Sequence, residues 1–421
     1  MKDLSSLNSL KTKYRIVGIL VSFVLTFSGC SQLSFDAPTK ETEIIVIDDA
    51  KSDTIVVEKV QELSENEEAT VAELPEKDLV KAKDELVSDG RRYFIYEQLT
   101  EDEKTIYAEI YSILEKLASD TKVSTLDPDM IDKAFNAVML DHPEIFYVSG
   151  YSFTKYTRGT KLEKITVTGT YTLSAPEIEA ARSRIDTYVN KCIAGYNGPH
   201  DDYQIVKYVY EYLIKHTEYD LTAPNNQNIL GIVDEARTVC QGYAKMTQYI
   251  LQKMGVFSVL CEGTVKGTEP HVWNVVEIDG NYYHVDTTWG DASYQVTDES
   301  ENFEVPEINY DFLCVSDDSI KETHVFKDEY KLPECNSMEA NYYVREGLYL
   351  ETVDTAVIAK AFVNARENGE SMVTLKCANA NVYAALYSHL IENHKIFDYI
   401  AGDTTVNYVE FRERCRISFY I

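Results

Sequence analysis

The chain has 421 residues, of which 44% are hydrophobic and 11% aromatic, with 31 Tyr. This composition is typical of a folded protein, and the length allows two or three domains. The formal net charge of -30 argues against a nucleic-acid-binding protein, because phosphate recognition needs clustered Lys and Arg. A strongly acidic exterior favours a well-solvated monomer.

Residues 1–30 predict an export signal. Basic residues precede an apolar run, IVGILVSFVLTF (16–27), which ends in the sequence SGC at Cys30. The run is too short to span a bilayer comfortably, and no stop-transfer charge cluster follows it. It resembles a bacterial lipoprotein signal, which implies cleavage before Cys30 and lipidation of that cysteine. The rest of the chain would then be extracytoplasmic and lipid-anchored to the membrane; an uncleaved signal anchor is the alternative.

Residues 31–89 contain many Asp and Glu and a single aromatic residue, Phe35. Such a segment buries too little apolar surface to offset the entropy of ordering, so it predicts an acidic disordered tether. Two short β-prone runs, EIIVI and TIVVE, lie inside it.

Residues 90–195 predict an N-terminal α+β region. Thr100 and Glu103 form a capping-box pattern in front of a helical apolar stripe. The run 144–174 is rich in Tyr, Thr and Val and contains the turn residues Arg158 and Gly159, which predicts an antiparallel hairpin or meander. Further helices are predicted over 128–141, 175–193 and 201–216.

Residues 334–421 predict a C-terminal α+β domain. The runs YYVREGLYLE and RISFYI are typical of strands, and helices are predicted over 354–368 and 382–393. This region has no motif that indicates chemistry. The segment between the two flanking regions, 196–333, contains both Trp residues and the remaining candidates for function.

Eight cysteines occur in the chain, and one of them, Cys30, is assigned to lipid. With Cys240 set aside, the other six are widely spaced, without a C-x-x-C pair or a compact Cys/His cluster, so no structural zinc site is predicted. No D-x-D-x-D-G calcium loop occurs, and we predict no metal and no cofactor. Buried thiols are expected, although disulfides are permitted outside the cytoplasm, for Cys192, Cys261, Cys314, Cys335, Cys377 and Cys415.

Cys240 lies in the stretch RTVCQGYAKMTQYILQKMG. Residues spaced along one helical face follow it, and Gly255 is a natural helix end, so the helix begins at or beside Cys240. Unpaired backbone N–H groups and the positive end of the helix dipole stabilise a thiolate there, and they can stabilise an oxyanion. From its position alone, a buried structural cysteine remains the alternative.

A second stretch, HVWNVVEIDGNYYHVDTTWGD, predicts a hairpin with the two-residue turn Asp279–Gly280. In that register Asp286 lies opposite Trp273, and His271 is its diagonal neighbour on the same sheet face. An imidazole and a carboxylate beside a thiol are the parts of a cysteine acyl-transfer site. Asp291 could replace Asp286, and the other available imidazoles are those of His142, His200, His216 and His284.

These motifs and their order resemble the transglutaminase-like superfamily, a papain-related group. C-x-G-Y-A at Cys240, H-x-W-N at His271 and the D-G…D-x-T-W block ending at Trp289 carry the resemblance, with Tyr282 where the family often has Trp. It implies an α+β fold over 196–333, a papain-like core whose catalytic helix packs on an antiparallel sheet. It also implies Cys240 as nucleophile, His271 as general base and acid, and Asp286 as the orienting carboxylate.

The resemblance leaves the reaction open. A thioester on Cys240 resolved by water gives a peptidase or amidase acting on protein or cell-wall peptides, which we rank first. Resolution by an amine gives glutamine–lysine cross-linking, and a surface binding module that retains the three residues is a third reading. The second oxyanion donor is not assigned; Gln227, Asn228 and Gln241 match no specific position.

Overall fold

The computed structural model describes residues 41–47, 55–88, 93–267, 269–291, 307–400 and 406–421. The predicted signal segment and Cys30 lie outside these residues. The chain divides into two compact units, Met1–Ala181 and Arg182–Ile421. In the described part of the chain, no helix is both long enough and apolar enough to cross a membrane.

The first unit combines one sheet with short helices. Its strands are β1 (Glu41–Ile47), β2 (Ile55–Glu62), β3 (Thr121–Lys122), β4 (Val148–Arg158) and β5 (Lys161–Tyr171), in the order β1-β2-β4-β5-β3. Its helices are α1 (Glu76–Ser88), α2 (Phe94–Glu97), α3 (Glu101–Glu115) and α4 (Pro128–Asp141). The predicted capping box at Thr100 and Glu103 is present at the start of α3, and the predicted β4–β5 hairpin is confirmed.

The prediction of a disordered tether over 31–89 is wrong for residues 41–47, 55–62 and 76–88, which form β1, β2 and α1. Strand β2 pairs in parallel with β4 along its whole length, and the residues Leu63, Ala82 and Leu86 are buried. The acidic average of the segment conceals these few apolar side chains. Because β4 already supplies the backbone partners for β2, little burial is needed to order it.

Helix α5 (Ala175–Gly195) contains the division between the two units, and the larger part of it belongs to the second unit. Its first part contains α6 (Asp202–His216), β6 (Glu218–Tyr219), a π-helical turn (Gly231–Glu235), β7 (Arg237–Thr238), α7 (Cys240–Lys253), β8 (Ser258–Val265), β9 (Glu269–Ile278), β10 (Asn281–Val285) and α8 (Thr287–Gly290). After the residues not described come a 3-10 turn (Tyr310–Phe312), β11 (Leu313–Val315), α9 (Asp317–Ile320) and β12 (His324–Phe326). The sheet order is β11-β10-β9-β8-β12, and α7 packs against β8 and β9. This helix-on-antiparallel-sheet arrangement confirms the predicted α+β fold class.

The C-terminal part has its own sheet and core. It contains α10 (Tyr342–Arg345), β13 (Tyr349–Leu350), α11 (Thr355–Asn368), β14 (Met372–Cys377), α12 (Ala380–Tyr387), β15 (Tyr408–Phe411) and β16 (Arg416–Tyr420), with sheet order β13-β14-β16-β15. The predicted strand over 342–351 is wrong for its first half. Asn341 caps a helical turn there by accepting a hydrogen bond from the Tyr343 N–H, at 3.1 Å, and a strand resumes only at Tyr349.

Candidate active site

Helix α7 begins at Cys240, as predicted, and the cysteine side chain is partly exposed. The preceding residue, Val239, is the N-cap, and its apolar side chain has no acceptor for the first helical N–H groups. The N–H groups at the start of the helix have no partner within the helix. This helix end is therefore open to a negatively charged group beside the Cys240 sulfur.

Gly242 lies in the first turn of α7, and its missing side chain has a packing reason. A Cβ there would collide with the Thr238 hydroxyl and with the backbone carbonyl of Asn228. The loop before the helix thus runs close against its first turn. Residues Ala244, Thr247 and Leu251 are buried on the predicted face of the helix.

Strands β9 and β10 form the predicted hairpin. Asn281 pairs with Ile278 and Val285 with Asn274. Both turn residues have positive φ, 51° at Asp279 and 78° at Gly280, which is the geometry of a type I′ turn. The register puts His271 and Asp286 on one face, as predicted.

His271 and Asp286 meet directly. The distance from His271 Nε2 to Asp286 Oδ2 is 2.7 Å, and their exposed fractions are 5% and 0%. Because the carboxylate carries no proton, the Nε2–H of the ring donates this bond. The orientation leaves Nδ1 of His271 for a second partner.

That second partner is Cys240, whose side chain lies close enough to the His271 ring to raise the pKa of the ring. Burial alone lowers the pKa of His271, but Asp286 and then Cys240 outweigh it and raise that pKa well above its ordinary value. The structure thus brings together all three residues predicted from the sequence. The raised pKa favours a protonated His271 imidazole beside the Cys240 sulfur.

Asp286 is held by more than His271. Its Oδ1 accepts a hydrogen bond from the Trp289 backbone N–H at 3.1 Å, so the residue also caps helix α8. A second imidazole, His324, has its Nε2 3.0 Å from Oδ2. Burial by itself raises the pKa of Asp286, but His271 and His324 hold that pKa well below its ordinary value. Sequence reasoning missed His324.

Asn274 connects the strand of His271 to the helix of Cys240. Its side chain is fully buried, and its Nδ2 donates to the backbone carbonyl of Ala244 at 3.0 Å and to Ser258 Oγ at 3.3 Å. Ala244 lies one turn after Cys240 on α7. One buried amide therefore sets the position of the helix against the sheet.

The other histidines and the alternative acid have different partners. Nε2 of His284 lies 2.9 Å from Asp317 Oδ1, and its Nδ1 accepts from the Trp273 indole N–H at 3.0 Å. Asp291 accepts from the Tyr243 hydroxyl at 2.8 Å. His142 pairs with Glu144 in the first unit, His200 is exposed, and the ring of His216 stacks on Tyr212.

Two groups of side chains in the described part of the chain have the residue types and spacing that could hold a metal ion. They are His271, Asp286 and His324, and His284, Asp317 and Cys335, with ligand atoms within 4.8 Å of one another in each group. In the second group, donation by Trp273 to Nδ1 of His284 requires the ring proton to sit on Nε2. That proton occupies the position a metal would take.

All seven described cysteines are free thiols. Cys192, Cys261, Cys314, Cys335 and Cys377 are buried, and Cys415 is partly exposed like Cys240. Gln227, which the sequence left unassigned, directs its backbone carbonyl towards Lys245 Nζ at 3.4 Å.

Residues 188–287 match the family model described as the transglutaminase-like superfamily. The chain contains a transglutaminase-like domain. Two curated relatives match it: the kyphoscoliosis peptidase of Mus musculus, 27% identical over 23% of this chain, and that of Homo sapiens, 26% identical over 26%. The matched regions span only 17% and 19% of those proteins.

The fold comparison also finds a solved structure described as a TGase. It is 11% identical to this chain, and the match covers 37% of this chain and 55% of that one, with a TM-score of 0.25. The family match at 188–287 covers Cys240, His271 and Asp286 and ends just before Trp289. His324 lies outside it.

Proposed function

We propose that the transglutaminase-like domain is a cysteine enzyme that cleaves amide bonds in protein or cell-wall peptides. The observation that carries the proposal is the position of His271, which bridges the Cys240 thiol and the Asp286 carboxylate. A buried histidine that served only in packing would not need a thiol at one ring nitrogen and a carboxylate at the other. The open helix end at Val239 adds backbone donors where an oxyanion would form.

In the proposed reaction, the Cys240 proton moves to Nδ1 of His271, and the thiolate attacks the amide carbonyl carbon. The C–N bond of the resulting tetrahedral intermediate breaks as His271 returns the proton to the leaving amine, leaving a thioester. Water then loses a proton to His271 and attacks the thioester carbon. The C–S bond breaks as His271 returns that proton to the Cys240 sulfur, which releases the acid and restores the thiol. Asp286 stabilises the imidazolium in both halves.

Water as the second substrate is supported by the names of the two relatives, which are peptidases. An amine can compete only where a site binds it and excludes water. We therefore propose hydrolysis first, with transfer to an amine as the outcome that would replace it.

The chain offers an internal control for a reactivity test. Cys415 is, like Cys240, a partly exposed thiol, and it lies close enough to the buried Cys377 to influence the pKa of that thiol. At pH 6–7, we expect iodoacetamide to alkylate Cys240 at least about tenfold faster than Cys415, as expected for an activated thiolate. Peptide mapping by mass spectrometry gives both rates in one sample, and equal rates would contradict the proposed enzyme activity.

Hydrolysis and amine transfer can be separated on proteins extracted from cells. Profiling of new N-termini should show cleavage by the wild type and none by Cys240→Ala. Incorporation of a labelled primary amine into glutamine side chains, without new N-termini, would instead establish the cross-linking reaction.

We also propose that the mature chain is anchored through a lipid on Cys30. The basic start, the short apolar run and the sequence SGC support it. A labelled fatty acid supplied to cells should be incorporated into the wild type and not into Cys30→Ser. Retention of the label in Cys30→Ser would refute this assignment.

A further inference from the structure

The second imidazole on Asp286 comes from β12, a three-residue strand that pairs with β8 through His324 and Val265. His324 has an exposed fraction of 1%, and its Nε2 lies 3.0 Å from the same Oδ2 that His271 contacts. We propose that His324 is a positioning residue that keeps Asp286 ionised and aimed at His271. This inference rests on the proposed function and adds a fourth residue to it.

The hydrogen bonds around Asp286 hold the carboxylate plane. Oδ2 accepts from the ring N–H groups of His271 and His324, and Oδ1 accepts from the Trp289 backbone N–H. These three donors lie on β9, β12 and α8. A rotation of the carboxylate that shortened one bond would break another, so Oδ2 stays directed at His271.

The ring of His324 is itself held in one orientation. Its Nδ1 is 2.8 Å from the Thr323 hydroxyl, which can donate to this nitrogen or accept from it. The rings of Trp273 and Trp289 pack against it, with centroid distances of 4.8 Å and 5.0 Å. Whichever role Thr323 takes, the Nε2–H of His324 points at Asp286.

The charges around Asp286 indicate that its contact with His324 helps to lower its pKa. Burial raises the pKa of Asp286, and His324 is one of the two side chains that lower it. The other titratable groups near Asp286 and His324 are Tyr210 of α6, Cys261 of β8 and His284 of β10. Burial raises the pKa of the first two and lowers that of the third, which favours the uncharged form of each group.

The test compares two amides that differ by one methylene. In His324→Gln the side-chain amide reaches the position of Nε2 and can still donate to Asp286. In His324→Asn it reaches only the position of Nδ1. Removing the donor lets Asp286 bind a proton at higher pH, and a protonated Asp286 no longer supports the His271 imidazolium.

The measurement is the rate of Cys240 alkylation by iodoacetamide against pH, in the full chain. We expect the acid limb of this profile to move up by about one pH unit in His324→Asn, since one unit corresponds to one strong hydrogen bond to a charged group. His324→Gln should stay within about a third of that shift. The matched control His284→Gln removes the neighbouring buried imidazole without touching Asp286 and should not move the limb.

An unchanged acid limb in a folded His324→Asn, with Cys240 fast in the wild type, overturns the inference and leaves the proposed function standing. An equal shift in His284→Gln also overturns it, because repacking would then be the cause. If Cys240 reacts no faster than Cys415 in the wild type, both proposals fall. Should His324→Asn not fold, Thr323→Val frees Nδ1 and must shift the limb in the same direction.

Discussion

The rings of two histidine–carboxylate pairs are buried in the same sheet, and each pair has a cysteine nearby: Cys240 beside His271, and Cys335 beside His284 and Asp317. The His271–Asp286 pair has a nitrogen–oxygen distance of 2.7 Å, and the His284–Asp317 pair has one of 2.9 Å. Both rings lie beside Trp273, with centroid distances of 5.9 Å and 6.3 Å. The pairs differ in the partner of the second ring nitrogen.

That second partner determines what each pair can do. Nδ1 of His271 meets Cys240, whereas Nδ1 of His284 accepts the Trp273 indole N–H. Burial therefore prevails at His284 and lowers its pKa, although Asp317 opposes this. Asp317 is also shared with Lys321 Nζ at 2.9 Å. The two pairs therefore differ in whether a ring nitrogen is left to face a thiol, and only His271 has the arrangement that the proposed acyl transfer needs.

The largest effect is expected from removing the base. His271→Ala should slow alkylation of Cys240 near neutral pH by about 100-fold, because the imidazolium that stabilises the thiolate is lost. The matched variant His284→Ala removes the other imidazole and should leave the rate within about twofold of the wild type. Equal slowing in the two variants would contradict this difference, because His284 would then influence the reactivity of Cys240 as much as His271 does.

Asp286→Asn should have the next largest effect. The amide keeps the shape of the carboxylate but loses the charge that stabilises protonated His271, so we expect roughly tenfold slower alkylation of Cys240. Rates of iodoacetamide labelling at several pH values measure it. A wild-type rate in this variant would show that Asp286 has no part in activating the thiol.

Asp317→Asn should act on stability and not on reactivity. The pKa of Asp317 is held well below its usual value, first by its hydrogen bond with His284, so the ionised Asp317 carboxylate stabilises the fold above about pH 4. Urea unfolding at pH 7 should show a loss of about 1–2 kcal/mol, and the difference should shrink as the pH falls below 4. A loss that is independent of pH would contradict a stabilising role for the ionised Asp317 carboxylate.

A chelator should have the smallest effect. The ring nitrogens and carboxylate oxygens of both pairs are engaged in hydrogen bonds with each other and with protein donors. EDTA is therefore expected to leave the Cys240 labelling rate and the midpoint of thermal unfolding unchanged. A drop in either after EDTA, restored by a divalent cation, would assign a metal to one of the two groups.

Local signals account for the parts of the site that sequence analysis predicted. The Asp279–Gly280 turn determines a short-range register, so the meeting of His271 and Asp286 follows from counting residues. The start of α7 at Cys240 follows from helical spacing and Gly255. The approach of the thiol to the ring is a tertiary contact, and only the family resemblance indicated it.

The missed parts depend on contacts between distant segments. His324 lies 38 residues after Asp286, on a strand too short for a periodic pattern, and Asp317 is 33 residues from His284. Strand β2 was missed for a related reason, since it becomes ordered by pairing with β4, which lies far along the chain. Composition and periodicity describe residues that are neighbours in sequence, so they do not predict contacts between distant segments.

The Asn274 amide has a consequence for how the site fails. Because its bonds to the Ala244 carbonyl and Ser258 are buried, α7 cannot slide along the sheet without leaving polar groups unpaired. Packed interfaces of this kind switch between discrete arrangements and do not deform smoothly. On gradual denaturation, the thiol and the imidazole should therefore separate in one step. Loss of fast Cys240 labelling would then mark the separation of α7 from the sheet.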